Sequence, residues 1–153
     1  MFKEFLFSGV LLVNSCFGSS ISGVCLSPFR EGQSPELGVF PSVSQITEDV
    51  GIVKEFCDSV RCYGNDDSLF EIPRICNDLG VDCVVGSWIY SDDFNSDNFA
   101  DDLWNQGVVD RLVQVSGEGY DSTSALLVGN EYLLWRSFDK ESVLIDLINQ
   151  VKG

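Results

Sequence analysis

The sequence contains no histidine among its 153 residues. Ser-His-Asp and Cys-His catalytic sites both need an imidazole as general base, so both are excluded. The commonest zinc sites, which use histidine ligands, are excluded as well. Carboxylates are the obvious groups that remain for proton transfer at a catalytic site.

Basic residues are scarce. Nine Lys and Arg stand against 24 Asp and Glu, and the formal net charge is −15. This charge repels nucleic acid and anionic membrane surfaces, so nucleic acid is not expected as a partner. A neutral polymer such as a polysaccharide is compatible with it, although acidity that serves only solubility, or a salty environment, explains the charge by itself.

Two short motifs are also missing. The six cysteines include no Cys-x-x-Cys pair, and no Gly-x-Gly-x-x-Gly follows the first predicted strand, so neither a metal site nor a dinucleotide site is expected. Cys25, Cys62 and Cys83 lie in apolar strand-like runs and are predicted to be small buried hydrophobic residues. Cys57 and Cys76 each lie near the end of a predicted helix and could form a disulfide in an oxidising compartment.

The amino terminus lacks an apolar run long enough to cross a bilayer, and no transmembrane segment is expected. Its apolar run, residues 5–13, is followed by small residues. This pattern predicts a secretory signal peptide over residues 1–22, cleaved before Gly23. The mature domain then spans residues 23–153.

An alternative processing site exists at residues 13–16, a loose match to a bacterial lipoprotein signal. It would leave the mature chain with a lipid anchor at Cys16. We favour plain secretion. On either route the protein is expected to be extracellular or in the cell envelope.

The mature chain repeats one unit four times, an apolar strand followed by a helix with apolar residues at helical spacing. The predicted strands are residues 23–27, 59–64, 81–90 and the start of 125–135. The predicted helices are residues 42–58, with a Ser42/Gln45 capping box; 66–79, starting in a tight turn, regular from Pro73 and closed by Gly80; about 97–115; and one capped at Asp139. Four such units predict an α/β fold with a parallel sheet and right-handed crossovers.

Polar and aromatic side chains gather at the carboxyl end of every predicted strand, as in a (β/α)₈ TIM barrel, of which four units are half. They are Phe29 and Arg30, Arg61 and Tyr63, Trp88, and Asn130 and Glu131. The last strand is expected to be buried on both faces. A carboxylate at its end is costly unless it is compensated, so Glu131 indicates a functional site; the alternative is a glutamate that only solvates the rim of the sheet.

The strand-end motifs resemble the amino-terminal half of glycoside hydrolase family 17, the β-1,3-glucanases and glucan-remodelling enzymes. They are GVCLSPFREGQSP from Gly23, VRCY from Val60, GSW from Gly86 and VGNEYLL from Val128. The resemblance implies a (β/α)₈ barrel, a β-glucan substrate and a retaining mechanism without a cofactor. It also implies that Glu131 is the general acid and base, and that Asn130 hydrogen-bonds the 2-hydroxyl of the sugar.

Flat aromatic and multidentate side chains at the strand ends suit a sugar. Trp88 would cover the CH face of a ring, and its alternative role is ordinary core packing. Arg61 and Tyr63 would hydrogen-bond sugar hydroxyls or hold Glu131 in place, or they would serve only ion pairing and packing in the barrel mouth. Phe29 and Arg30 complete the predicted substrate-binding residues.

The family's attacking glutamate lies after a seventh strand, and no residue here replaces it. Glu118 is predicted to lie in a loop, and Glu31 does not match the nucleophile motif. We therefore expect this chain to be a fragment of a longer enzyme. The alternative, that two such half barrels pair, is less favoured. Such a chain would carry the acid and base of a secreted retaining β-glucanase or transglucosylase without activity of its own. The alternative is a non-catalytic glucan-binding half barrel.

Overall fold

The computed structural model describes residues 22–90, 98–135 and 140–153. Most of the predicted signal peptide, including Cys16, lies outside the described residues, as does the predicted cap at Asp139. In the described part of the chain, none of the helices combines the length and hydrophobicity needed to cross a bilayer.

Four parallel strands form one sheet in the order β1-β2-β3-β4, which confirms the predicted topology. The strands are β1, Val24–Cys25; β2, Ser59–Arg61; β3, Asp82–Ser87; and β4, Thr123–Val128. Val24 pairs with Val60, Val60 with Cys83, and Gly86 with Leu127. Because the strands are parallel, their carboxyl ends meet along one edge of the sheet.

The first helix, α1, spans Val43–Lys54 and begins at the predicted capping box. The Ser42 backbone N–H donates to Gln45 Oε1 at 2.8 Å, and the Gln45 N–H donates to Ser42 Oγ at 3.3 Å. These two bonds satisfy backbone donors that have no partner inside the helix. The helix ends at Lys54, one turn before the predicted end at residue 58.

The second helix starts in a 3₁₀ turn, Asp67–Glu71, and continues as α2, Ile72–Leu79. Pro73 lies in the first turn of α2, where its missing N–H is not needed. Gly80 follows with a left-handed φ of 66°, which glycine adopts without steric cost. Both features confirm the prediction for this segment.

Three further helices are α3, Asn98–Glu118; α4, the single turn Tyr132–Trp135; and α5, Glu141–Lys152. The prediction that Glu118 lies in a loop is wrong, since α3 continues to this residue. The helical spacing of apolar residues ends at the buried Val115, and residues 116–118, which complete the helix, are exposed and give no periodic signal.

Aliphatic side chains between the sheet and the helices form the main core. Val60 of β2 and Val85 of β3 belong to one cluster with Ile46 of α1, Ile72 of α2 and Leu112 of α3, and each is at most 1% exposed. Burial of such a side chain stabilises the fold by about 1.5–3 kcal/mol. The packing of this core therefore keeps the strand ends in fixed positions.

The expectation that the fourth strand is buried on both faces is wrong. Ala125 is exposed, and residues 126–128 are only half-buried. Among the described strands, β4 pairs with β3 alone, so one of its edges and part of its surface have no cover from the described residues.

The cysteine predictions are confirmed in part. Cys62 and Cys83 are buried, whereas Cys25 is exposed, because β1 is a two-residue strand paired only with β2 among the described strands. Cys57 and Cys76 are buried free thiols, so no disulfide joins them. The neighbouring Cys62 and Cys76 thiols raise the pKa of Cys83, which keeps that side chain neutral.

Candidate active site

Glu131 lies in the sharp turn between β4 and α4. Gly129 and Glu131 both have positive φ angles, 78° and 54°. A residue other than glycine held in this conformation costs about 1–3 kcal/mol, and such strain often accompanies a functional site. Tyr132 follows, is 5% exposed and packs in a second core cluster with Ile89 and Leu147. The buried tyrosine anchors the turn and leaves the Glu131 side chain exposed at the sheet edge.

Asn130 is oriented by an arginine two strands away. Arg61, the last residue of β2, donates from Nη2 to Asn130 Oδ1 at 2.9 Å. Because the amide oxygen of Asn130 faces Arg61, its Nδ2 group points elsewhere with two hydrogens to donate. Arg61 Nε is buried and has no hydrogen-bond partner among the described residues. Such a donor costs about 1–3 kcal/mol, which is consistent with a site that serves binding more than stability.

Arg61 also covers an aromatic ring. Its Cζ atom lies 4.6 Å from the ring centroid of Tyr63, a cation–π contact worth about 0.5–1 kcal/mol at an exposed site. The neighbouring Cys25 thiol raises the pKa of Tyr63 most, and the Glu131 charge adds to this, whereas the Arg61 charge lowers it. With a pKa above its ordinary value near 10, the Tyr63 hydroxyl stays protonated at neutral pH and can donate a hydrogen bond.

A cavity of about 620 Å³ opens beside these groups, and we call it the Glu131 cavity. Its polar wall contains Arg61, Asn130 and Glu131, and its apolar wall comes from β4 and α5. The apolar lining residues are Leu126, Leu127, Val128, Gly129, Ile148 and Val151, with Lys152 at the end. One side of this cavity can therefore exchange protons and hydrogen bonds, while the other offers apolar contact.

A second cavity, of about 430 Å³, lies over the ends of β1, β2 and β3, and we call it the aromatic cavity. Five aromatic residues line it: Phe29, Tyr63, Trp88, Tyr90 and Trp104. The indole of Trp104 donates to the Trp88 carbonyl at 3.2 Å, and its ring meets Tyr90 edge-on at 5.7 Å between centroids. These contacts hold the Trp104 ring in place. Tyr63 of this cavity stacks on Arg61 of the Glu131 cavity, so the two adjoin.

The predicted site residues therefore separate into two groups and one outlier. Arg61, Asn130 and Glu131 share the Glu131 cavity, and Phe29, Tyr63 and Trp88 share the aromatic cavity. Arg30 lines neither of the two. Its guanidinium donates to Asp49 of α1, Nη1 to Oδ2, at 2.8 Å, and this hydrogen bond raises the pKa of Arg30.

Several residues of the two cavities were not predicted. Asp66 and Trp104 lie in predicted helices, and Tyr90, at the end of the third predicted strand, was not singled out. The sequence offers one signal for Trp104: it is an aromatic residue in a helix, α3, whose apolar residues form no clean stripe. Within the described residues, no group of three or more Cys, Asp and Glu side chains is placed to hold a metal ion.

Comparisons with known proteins agree with this architecture. Neither the scan against protein-family models nor the search of the curated proteins finds a match. Two solved structures do match: the glycoside hydrolase family 17 β-1,3-glucanosyltransferase from Rhizomucor miehei, and an active-site mutant of that β-1,3-glucanosyltransferase in complex with laminaritriose.

Each of the two structures superposes with a TM-score of 0.63 at 19% sequence identity, over 86% of this chain and 44% of theirs. The chain thus spans less than half the length of the structures it matches. At this identity the likeness is one of fold. The parallel four-stranded α/β sheet has the fold of part of a glycoside hydrolase family 17 enzyme, as the resemblance of its strand-end motifs predicts.

Proposed function

We propose that this chain supplies the acid and base half of a retaining active site that cleaves or transfers β-1,3-glucan. One observation carries the proposal: Asn130 and Glu131 lie together at the end of β4, with Asn130 oriented by Arg61 at 2.9 Å. The shared fold with a β-1,3-glucanosyltransferase supports the choice of substrate and of a glycosidase or transglycosidase reaction.

The proposed chemistry uses Glu131 twice. As a general acid it protonates the departing glycosidic oxygen, and as a general base it then activates the water or sugar hydroxyl that resolves the glycosyl intermediate. The exposed position of Glu131 at the sheet edge suits both steps, since the leaving group and the incoming acceptor must reach it.

Asn130 and Arg61 act on the reacting sugar together. The Asn130 Nδ2 group donates to the 2-hydroxyl, a contact that strengthens as positive charge develops on the ring. Arg61 holds the amide in the orientation that this contact requires. Tyr63, protonated and stacked under Arg61, adds a hydroxyl donor beside the same sugar.

A retaining site needs a second carboxylate about 5–5.5 Å from the first. Glu131 is the one carboxylate among the described residues that line the Glu131 cavity. We therefore propose that the attacking carboxylate lies on strands of a (β/α)₈ barrel beyond the four described here. The same observation favours the second candidate function, in which this chain binds glucan without cleaving it.

Both candidates require that the purified chain alone does not cleave laminarin-type β-1,3-glucan, and a cleavage assay tests this shared requirement. We expect release of reducing sugar no higher than that of Glu131→Gln, because the described residues that line the Glu131 cavity include no second carboxylate to attack the sugar. Glucan retained by the chain in a pull-down would support binding without cleavage. If the chain released reducing sugar and Glu131→Gln did not, the result would refute the proposal that the attacking carboxylate lies on strands beyond the four described.

We also propose that residues 1–22 are a signal peptide, residues 23–153 are part of a catalytic domain, and the protein acts outside the cell or in the cell envelope. The apolar run at residues 5–13 and the small residues after it support this. Mass spectrometry of the exported protein should find a new amino terminus at or near Gly23. An intact Met1 would contradict the proposal, and a lipid on Cys16 would select the lipoprotein route.

A further inference from the structure

One carboxyl oxygen of an acidic side chain in the aromatic cavity has no hydrogen-bond partner among the described residues. Asp66 lines this cavity and is 5% exposed. Its Oδ2 atom is buried and accepts no hydrogen bond among the described residues. A buried carboxyl oxygen without a donor costs about 1–3 kcal/mol or more, so its presence needs an explanation.

Helix capping does not explain Asp66. It occupies the N-cap position of the 3₁₀ turn, yet its side chain makes no capping hydrogen bond. Burial raises the pKa of Asp66, and this effect outweighs its own backbone amide and the charge of Arg111, which lower it. The Asp66 carboxyl group therefore contributes little to the stability of the fold in this position.

The backbone around Asp66 makes room for its carboxyl group. A Cβ atom added at Gly64 would lie 2.8 Å from Asp66 Oδ1, closer than real Cβ contacts allow. Because glycine has no Cβ atom, the Asp66 carboxyl group can occupy this space beside the end of β2.

The rest of the cavity has the chemistry of a sugar site. Its volume, about 430 Å³, lies within the range of small-molecule sites. Its walls include Trp88 and Trp104, whose flat apolar rings suit the CH face of a pyranose. Glu36 and Asp66 make the lining acidic, which suits a neutral polyhydroxyl ligand and disfavours an anionic one.

We infer that the aromatic cavity is a second sugar subsite, in which Asp66 Oδ2 accepts a hydrogen bond from a hydroxyl of a neutral glucose residue. The inference rests on the proposed function, because it extends the same glucan chain from the Glu131 cavity across the Arg61–Tyr63 stack. Asp66 is then a specificity-determining residue: its unpartnered oxygen rejects a sugar that lacks the matching hydroxyl.

Calorimetric titration of the full chain with laminaritriose tests the subsite. We expect Asp66→Ala and Asp66→Asn to weaken binding about 10-fold or more, the loss that corresponds to one hydrogen bond to a charged group. Asp82→Asn is the matched control, because Asp82 is exposed at the opposite end of β3 and its substitution removes the same charge. It should leave the affinity within about 2-fold, as is usual for surface substitutions.

Thermal unfolding of the same variants separates a binding role from a structural one. Because Oδ2 has no partner, Asp66→Asn should unfold at a temperature equal to or above that of the unaltered chain. A lowered unfolding temperature for Asp66→Asn would identify a structural role and overturn the inference. If Asp66→Ala fails to fold, Asp66→Asn decides the binding result.

Asn130→Ala distinguishes this inference from the proposed function. Weaker binding in Asn130→Ala with unchanged binding in both Asp66 variants would overturn the subsite and leave the proposed function standing. Weaker binding in the Asp66 variants alone would support the subsite and remove support from the role of Asn130. Absence of laminaritriose binding by the unaltered chain would overturn the subsite.

Discussion

In a completed barrel, made by joining this chain to the remaining units of a related β-1,3-glucanosyltransferase, Glu131→Ala should lower the turnover of natural glucan by about 10²–10⁴-fold, the range for loss of a general acid. Turnover of an aryl β-glucoside with a nitrophenolate leaving group should fall much less in its first step, because that group departs with little need of a proton. The values of kcat/KM on the two substrates measure the difference, because kcat/KM reports the first step.

Azide adds a second measurement on the same variant. It should partly restore turnover of the aryl substrate by attacking the glycosyl intermediate in place of the water that Glu131 activates, and the product should be a β-glycosyl azide. Glu118→Gln is the control, since this exposed glutamate lies at the far end of α3. Equal losses on both substrates, without a glycosyl azide, would exclude Glu131 as the acid and base.

Asn130→Ala in the same completed barrel should lower kcat by about 10²–10³-fold, the loss expected for one donor that acts on the transition state. Arg61→Ala should cost nearly as much, because Asn130 loses the donor that orients its amide. The two losses should not add. We expect a coupling of about 1–3 kcal/mol, as for residues in one hydrogen-bond network, measured by kcat in a double-mutant cycle.

Two further variants sharpen this cycle. Arg61→Lys keeps the charge but not the planar group that reaches Asn130 and covers Tyr63, so it should restore little activity. Arg74→Ala removes an exposed arginine that pairs with Glu71 of the 3₁₀ turn and Asp78 of α2, and it should leave kcat near the unaltered value. Additive losses for Arg61 and Asn130 would show that Arg61 does not act through the amide.

Local patterns were sufficient for most of the architecture. The Ser42 and Gln45 capping box, the turn before Pro73 and the stop at Gly80 depend on residues close together in the chain, and each occurs as predicted. The parallel sheet follows from the alternation of strands and helices. The position of Asn130 and Glu131 after β4 follows from the apolar run that precedes them.

The errors arose where the outcome depends on distant residues. The exposure of Cys25 and Ala125 depends on which strands have neighbours on both sides, and periodicity within one strand does not contain that information. Arg30 stays a predicted substrate-binding residue, and its pairing with Asp49 of α1 likewise depends on a residue distant in the chain.

The sequence alone determined the class of fold, the order of the units and the strand ends at which function was to be sought, because these depend on short-range periodicity and capping. Tertiary structure decided which side chains meet there. Arg61 reaches Asn130 across 69 positions of chain, and Asp66 is buried beside Trp88 and Trp104. Such contacts are set by strand register and helix packing, so the chemistry of both cavities became visible only once the sheet was assembled.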